Sequence, residues 1–235
     1  MAQKALDGLF HVKGGAMGLS ELLSTYGEKY LQGLLTTWQL TAISFVFVML
    51  LAVGITIMRV SPFKPLRLAG DIYVQIFRNI PGVALLILIA YALPYLRVVL
   101  DWRMCVIVTT VLLGSAFGSE NFMSGINTIS VGQIEAARSL GLTFTGILRK
   151  IVIPQALRTT VLPMTNLLIA VMLTTALGSQ VPLSPQELTG VVSYVNTRAT
   201  GGILAFLIAA LGYVGTALVI SVIGNRLDKK VRILR

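Results

Sequence analysis

Residues 132–158 read Gly132-Gln133-Ile134-Glu135-Ala136-Ala137-Arg138-Ser139-Leu140-Gly141-Leu142-Thr143-Phe144-Thr145-Gly146-Ile147-Leu148-Arg149-Lys150-Ile151-Val152-Ile153-Pro154-Gln155-Ala156-Leu157-Arg158. They lie between two apolar runs, and the connection from Ser119 to Gln155 is far longer than an ordinary loop. It is also periodic. Ile134, Ala137, Gly141, Phe144, Leu148 and Ile151 recur every three or four residues, the spacing of one helix face, with Glu135, Arg138, Ser139, Thr143, Thr145 and Arg149 between them. Gly132 and Gly141 punctuate the run, which predicts a short helix over 133–140, a turn, and a second helix leading to Pro154. Two readings stand: an amphipathic helix on a lipid surface, or a docking element for a cytoplasmic partner. The small residues Ala136, Ala137 and Gly141 favour docking, because they let another backbone approach closely.

Working outward, charge-free stretches mark membrane spans, each needing about 20 apolar residues. Leu31–Met58 is the first. Asn79–Leu96 is the second, beginning near Asp71 and bracketed by Pro81 and Pro94. Met104–Ser119 is a short third, with Glu120 at its end. Thr159–Gln186 holds the fourth and Ala199–Asn225 the fifth. Pro163 lies nine residues after Pro154, which predicts a helix starting near Pro154 with a kink at Pro163. Such breaks are tolerated where neighbours or a cavity satisfy the freed carbonyls. The runs are long and continuous, so a β-barrel is excluded. The expected fold is an all-α integral membrane protein with five transmembrane helices. Residues 1–32 form a separate N-terminal segment and residues 33–235 the membrane domain, with its cytoplasmic loop over about 120–155.

Composition agrees. Of 235 residues, 55% are hydrophobic and 12% charged, and the mean hydropathy is +0.84. A soluble domain carries about 25% charged residues, so a soluble enzyme and a disordered chain are excluded at the outset. The net charge of +10 would suggest nucleic acid in a soluble protein. Here the basic residues fall between apolar runs and set topology instead, so no nucleic-acid partner is expected. The connections 59–78 and 120–158 and the C-terminal tail hold 13 Lys and Arg; the N-terminal segment and the other two connections hold 6. Positive charge stays inside, which places the N-terminus outside and the C-terminus in the cytoplasm. Residues 1–33 show no signal-peptide pattern, so the first span is expected to act as the insertion signal.

Chemistry-bearing clusters are sparse. The lone Cys105 and the lone His11 make a structural metal site unexpected. No nucleophile–base pair is visible, nor a Gly-x-x-x-x-Gly-Lys-Ser/Thr phosphate loop. The chain is therefore expected to be no enzyme, to bind no cofactor, and to draw its energy from another polypeptide.

The constellation Glu135-Ala136-Ala137, Gly141 and Ile151-Val152-Ile153-Pro154 resembles the EAA loop of ABC importer permeases. The surrounding Gly132–Leu142 and Ile153–Arg158 resemble the corresponding runs of the polar-amino-acid permeases (histidine, glutamine and glutamate type). So do Tyr73 to Pro81 with Arg78, Ala116–Glu120, and Leu162–Asn166. The resemblance covers roughly residues 33–230. Departures are Gly82-Val83 after Pro81, Met123 in place of a common arginine, and Met172–Leu177 where a lysine-containing run is usual.

This resemblance implies the five-helix core of a type I importer in the bacterial inner membrane. Glu135, Ala136, Ala137, Arg138 and Gly141 would form the coupling helix that docks on an ATP-binding subunit dimer. ATP and magnesium would sit on that partner. A second permease subunit, identical or homologous, would complete the path, and a soluble binding protein would deliver substrate. Similarity to actinobacterial glutamate-type permeases makes an acidic amino acid the first guess. The runner-up is a membrane scaffold that docks a cytoplasmic partner and transports nothing.

Candidates for the substrate path follow from polarity in apolar runs. Glu120 can meet a substrate ammonium or pair with Arg78, and the plainer reading is a carboxylate at the interface that ends the third span. Asn121 follows the same argument. Asn166, Thr174, Thr175, Ser179 and Gln180 bring hydroxyls and amides to the fourth span and its outer end, where helix–helix hydrogen bonding is the plainer alternative. Glu135 is expected to pair with a basic group or cap its helix. Arg78, Pro81, Pro154 and Pro163 are assigned structural or gating roles, Arg78 through an ion pair or by snorkelling to lipid phosphate.

Overall fold

The computed structural model describes residues 17–198 and 201–231. Among them every regular element is a helix: α1 (Leu19–Val60), α2 (Lys64–Asn79), α3 (Gly82–Leu96), α4 (Trp102–Asn127), α5 (Val131–Ser139), α6 (144–159), α7 (Val161–Thr174), α8 (Leu188–Arg198) and α9 (Gly202–Val231). A 3₁₀ turn over Thr175–Gln180 lengthens α7.

Four of these, α1, α4, α7 with its extension, and α9, are long and apolar enough to cross a membrane alone. A fifth span exists only as the pair α2 and α3, which meet at 103°. The bend follows from Pro81. Proline disfavours the helical conformation in the residue before it, and Ile80 is extended at φ −82°, ψ 132°. The expected span over 79–96 is corrected accordingly. The apolar run Gly82–Leu96 reaches only about 22 Å at 1.5 Å per residue, short of the roughly 30 Å hydrocarbon core, and α2 turns away from its axis. Helix α3 ends through a π turn at Leu88–Ala92 and a 3₁₀ turn at Leu93–Leu96, which carries Pro94.

Helix α1 spans 42 residues, about 63 Å, twice the apolar thickness of a bilayer. Its first turns are held by packing: Leu22 and Tyr30 are buried among Leu188, Val191, Val195 and Ala205, and the Tyr30 hydroxyl donates to the Ala205 carbonyl at 3.0 Å. The division expected at residue 33 thus falls inside one continuous helix.

Helix α4 also exceeds its expected bounds. The Asp101 carboxylate caps its start, accepting from the Met104 N–H at 3.0 Å. The helix then continues through Glu120 to Asn127, so Glu120 lies two turns inside it and ends nothing. Helices α1 and α4 form the main packed pair of the bundle. Gly114 and Gly118 make this possible: a Cβ on Gly114 would stand 2.7 Å from Val48, and one on Gly118 2.8 Å from Ala52. Helix α7 joins them through Met164, Leu167 and Val171.

The kink expected at Pro163 appears instead as a break one turn earlier, at Thr160. Helix α6 runs from Phe144 through a π turn at Leu148–Val152 into Ile153–Thr159, with Pro154 just beyond that turn. The chain breaks at Thr160 and restarts as α7, so Pro163 falls in a first turn, where a missing N–H leaves no bond unmade. Helix α9 starts at Gly202 and keeps most of its surface exposed.

Candidate functional site

Two structures at the same end of the bundle carry the functional argument: the α5–α6 unit and a charged junction beneath a cavity.

Helix α5 is built by its ends. The Ser130 hydroxyl accepts from the Gln133 N–H at its start. At its end Gly141 N–H donates to Arg138 O at 2.9 Å and Leu142 N–H to Ala137 O at 3.1 Å, the paired bonds of a Schellman termination. That geometry requires a left-handed residue, and Gly141 has φ +78°. Thr143 caps α6 by accepting from Gly146 N–H at 3.2 Å.

The inner face of the unit is apolar: Ala137 is buried with Ile129, Ile147 and Val152, and Ile126 of α4 packs against them. This corrects the expected docking patch. Ala137 faces inward; Ala136 is exposed with Val131, Leu140 and Phe144. Glu135 and Arg138 are also exposed. Glu135 makes no ion pair among the described residues and does not cap the helix, because Ser130 occupies that role.

The charged junction joins α1, α2 and α4. Arg59 Nε donates to Asp71 Oδ1 at 2.8 Å, Arg59 NH1 to Ser119 Oγ at 3.2 Å, and Arg59 NH2 meets Glu120 Oε1 at 2.9 Å. The other Glu120 oxygen faces Arg78 NH1 at 3.5 Å. The expected Arg78–Glu120 pair exists, but it is the looser of two. One turn along α2, the Tyr73 hydroxyl bonds Ser115 Oγ at 2.8 Å and the Leu112 carbonyl at 3.1 Å.

Beside this junction, a cavity of about 470 Å³ opens between the α2–α3 bend, α4 and α7. Arg78, Thr174 and Gln180 line it, with Phe77, Leu113 and Phe117. The other expected path residues lie outside its wall. Thr175 is fully buried and donates to Met172 O at 2.6 Å. Ser179 donates to Ala176 O at 2.8 Å and accepts from Gln180 Nε2 at 3.1 Å. Asn121 donates to the Pro163 carbonyl at 3.2 Å, tying α4 to the first turn of α7. Asn166 is exposed, two turns before Thr174. Glu120 adjoins the cavity through Arg78. Thr174 itself donates to Ala170 O at 2.8 Å.

Sequence reasoning gave neither Arg59 nor Asp71 a site role: Arg59 counted only as a loop charge, and Asp71 only marked the start of the second span. Their signal was position: Arg59 closes the first charge-free run, and Asp71 stands 12 residues on. It also missed Glu187, which is fully buried. Its carboxylate accepts from Gly190 N–H at 2.6 Å, Thr189 N–H at 2.7 Å and the Tyr213 hydroxyl at 3.0 Å. Burial pushes this carboxyl up from its ordinary value, and those hydrogen bonds pull it back only in part. The next N–H, on Leu188, donates to Thr37 Oγ1 at 3.1 Å, so this turn fastens α8 to α1 and α9. A lone carboxylate directly after the charge-free run Thr159–Gln186 was the readable sign.

Comparison with known proteins places this geometry. Residues 49–233 match the family described as binding-protein-dependent transport system inner membrane component. The chain is 34% identical over 209 residues to the glutamate transport system permease protein GluC of Corynebacterium efficiens, covering 83% of this chain and 90% of that one. It is 33% identical over 150 residues to the probable glutamine ABC transporter permease protein GlnM of Bacillus subtilis, covering 64% and 69%. Its fold matches the crystal structure of an amino acid ABC transporter with histidines at a TM-score of 0.84, with 24% identity and 92% and 100% of the two chains covered. The chain therefore belongs to the binding-protein-dependent transport system inner membrane components, as a multi-pass membrane subunit and not a catalytic one.

Proposed function

We propose that this chain forms half of the translocation path of an ATP-driven amino-acid importer and couples that path to an ATP-binding subunit through α5. The substrate is a polar amino acid, glutamate or aspartate first, in keeping with the glutamate permease relative. The N-terminus lies outside and the C-terminus in the cytoplasm. A second permease subunit, identical or homologous, completes the path. Two ATP-binding subunits hold ATP and magnesium, a soluble binding protein delivers the amino acid, and lipid surrounds the exposed faces of α1 and α9.

The observation that carries this reading is the mechanical continuity of the α5–α6 unit. Ala137 locks α5 against Ile126 of α4 and against α6, and α6 leads through Thr160 into α7. A displacement of α5 therefore reaches both α4 and α7, which wall the cavity. Closure of an ATPase dimer beneath α5 would tilt these two helices together and open the cavity to the outside. Hydrolysis and release would return it to the inside. Glu135, Arg138, Ala136 and Leu140 supply the exposed surface for that contact.

The test is reconstitution. The chain is purified in mild detergent with its host's ATP-binding subunit and binding protein, placed in liposomes, and assayed for ATP-dependent uptake of L-glutamate and other polar amino acids. Uptake that needs both partners supports the reading. A chain that purifies alone, unaffected by the ATP-binding subunit and transporting nothing, leaves a scaffold in its place.

A further inference from the structure

The cavity holds one charged lining residue among those described, Arg78, and Arg78 is poorly satisfied. Its NH1 is 3.5 Å from Glu120 Oε2, well beyond the roughly 2.7–2.9 Å of a good charge-assisted hydrogen bond. Its side chain is 40% exposed, and the guanidinium stands 5.7 Å from the centre of the Phe117 ring, which shields one face. Arg59, by contrast, is 13% exposed and engaged by Asp71, Ser119 and Glu120. The junction thus has two arginines and two carboxylates, balanced in charge, with all its slack in the pair that Glu120 makes with the cavity-lining Arg78.

We infer that the head group of the transported amino acid inserts into this loose pair, its α-carboxylate taking Arg78 and its α-ammonium taking Glu120 Oε2. A zwitterion adds no net charge. Each displaced group finds a new partner of opposite sign, so no desolvated charge is left alone. Glu120 keeps Arg59 through Oε1 during the exchange, so the clamp closes without dismantling the junction of α1, α2 and α4. The side chain of the amino acid then meets Phe77, Leu113, Thr174 and Gln180. These surfaces accept a neutral polar side chain by hydrogen bonding, while an acidic one shares Arg78 with the α-carboxylate. No carboxylate lines the cavity among the described residues, so a cationic side chain goes unbalanced.

This inference rests on the importer reading and is tested separately from it. The intact importer in nanodiscs, with its ATP-binding subunit and without the binding protein, is titrated with L-glutamate, its α-carboxamide and glutarate, which lacks the ammonium; L-glutamine and its counterparts replace them if they bind tighter. The wild type should bind both analogues about tenfold or more weakly. Arg78→Gln should erase the preference over the α-carboxamide and leave that over glutarate. Glu120→Gln should do the reverse. Arg78→Lys, which keeps the charge, should recover part of the first preference. A merely structural junction would weaken all three ligands together, and that result, or an unchanged ligand preference in Arg78→Gln, overturns the clamp. Normal glutamate uptake by Arg78→Gln would remove the clamp and leave the importer standing; a wild-type complex that binds and transports no amino acid removes both.

Discussion

Glu120 divides its carboxylate between two arginines unequally: Arg59 NH2 lies 2.9 Å from one oxygen, and Arg78 NH1 lies 3.5 Å from the other. The difference reflects where each arginine sits. Arg59 ends α1 inside the α1–α2–α4 junction, with Asp71 and Ser119 as further partners. Arg78 is in the last turn of α2, next to the bend and open to the cavity.

That inequality sets a stability order. Arg59→Leu strands Glu120 and Asp71. It should cost about 2–3 kcal/mol, below the 3–5 typical of a broken buried pair because Asp71 is half exposed. Arg78→Gln should cost under about 1 kcal/mol, as for an exposed pair. Thermal unfolding of the detergent-purified variants reads both; equal losses would contradict the order.

Gly141 is required for its backbone and not for space. With φ +78° and nothing within 4 Å of a would-be Cβ, Gly141→Ala and Gly141→Leu should each cost about 1–2 kcal/mol in the isolated chain. Gly141→Asn should cost less, since asparagine tolerates the left-handed region. If α5 docks on the ATP-binding subunit, Gly141→Leu alone should further abolish substrate-stimulated ATPase while membrane insertion is kept. Normal uptake by Gly141→Leu would refute the coupling role.

The α1–α4 contact is set by glycine. A Cβ on Gly118 would stand 2.8 Å from Ala52 Cβ, so Gly118→Ala should destabilise by about 1–3 kcal/mol, the usual cost of overpacking. Ala52→Gly in the same chain should recover most of that loss. A double-mutant cycle measures the coupling; additive effects would show that the two residues do not meet.

Removing Glu187 takes the acceptor from the buried Gly190 N–H and the part-buried Thr189 N–H, while the Tyr213 hydroxyl keeps only Thr189 Oγ1 at 3.0 Å. Glu187→Ala should therefore cost about 3 kcal/mol, given 1–3 for each orphaned donor with partial relaxation. Its carboxyl is raised by burial, so its linked contribution is fullest below the ordinary carboxylate pKa and is lost as pH rises through the folded value. A pH series of thermal unfolding should show this component in the wild type and not in Glu187→Gln.

The spans, the α5–α6 unit and the functional class were legible because they rest on local or compositional facts: runs of apolar residues, a helical repeat of three and four, and glycine at a helix end. What was misread depended on neighbours distant in the chain. Ala137 and Ala136 are adjacent and alike in type, yet only packing against Ile126 and Ile147 decides that one is buried and the other presented. Thr174 and Thr175 are likewise identical neighbours. One lines the cavity and the other is sealed against its own helix, since successive residues of a helix point about 100° apart.

Sequence by itself determined that the chain enters a membrane and that its long connection is helical, because hydropathy and periodicity act over a few residues. Tertiary structure alone decided that Arg59, Asp71, Arg78 and Glu120 form one junction. It also decided that the α2–α3 bend faces α7 across a cavity, and that Glu187 fastens three helices. The junction depends on the close approach of α1 and α4 at Gly114 and Gly118, and an interhelical distance is a property of two packed surfaces and not of either sequence stretch.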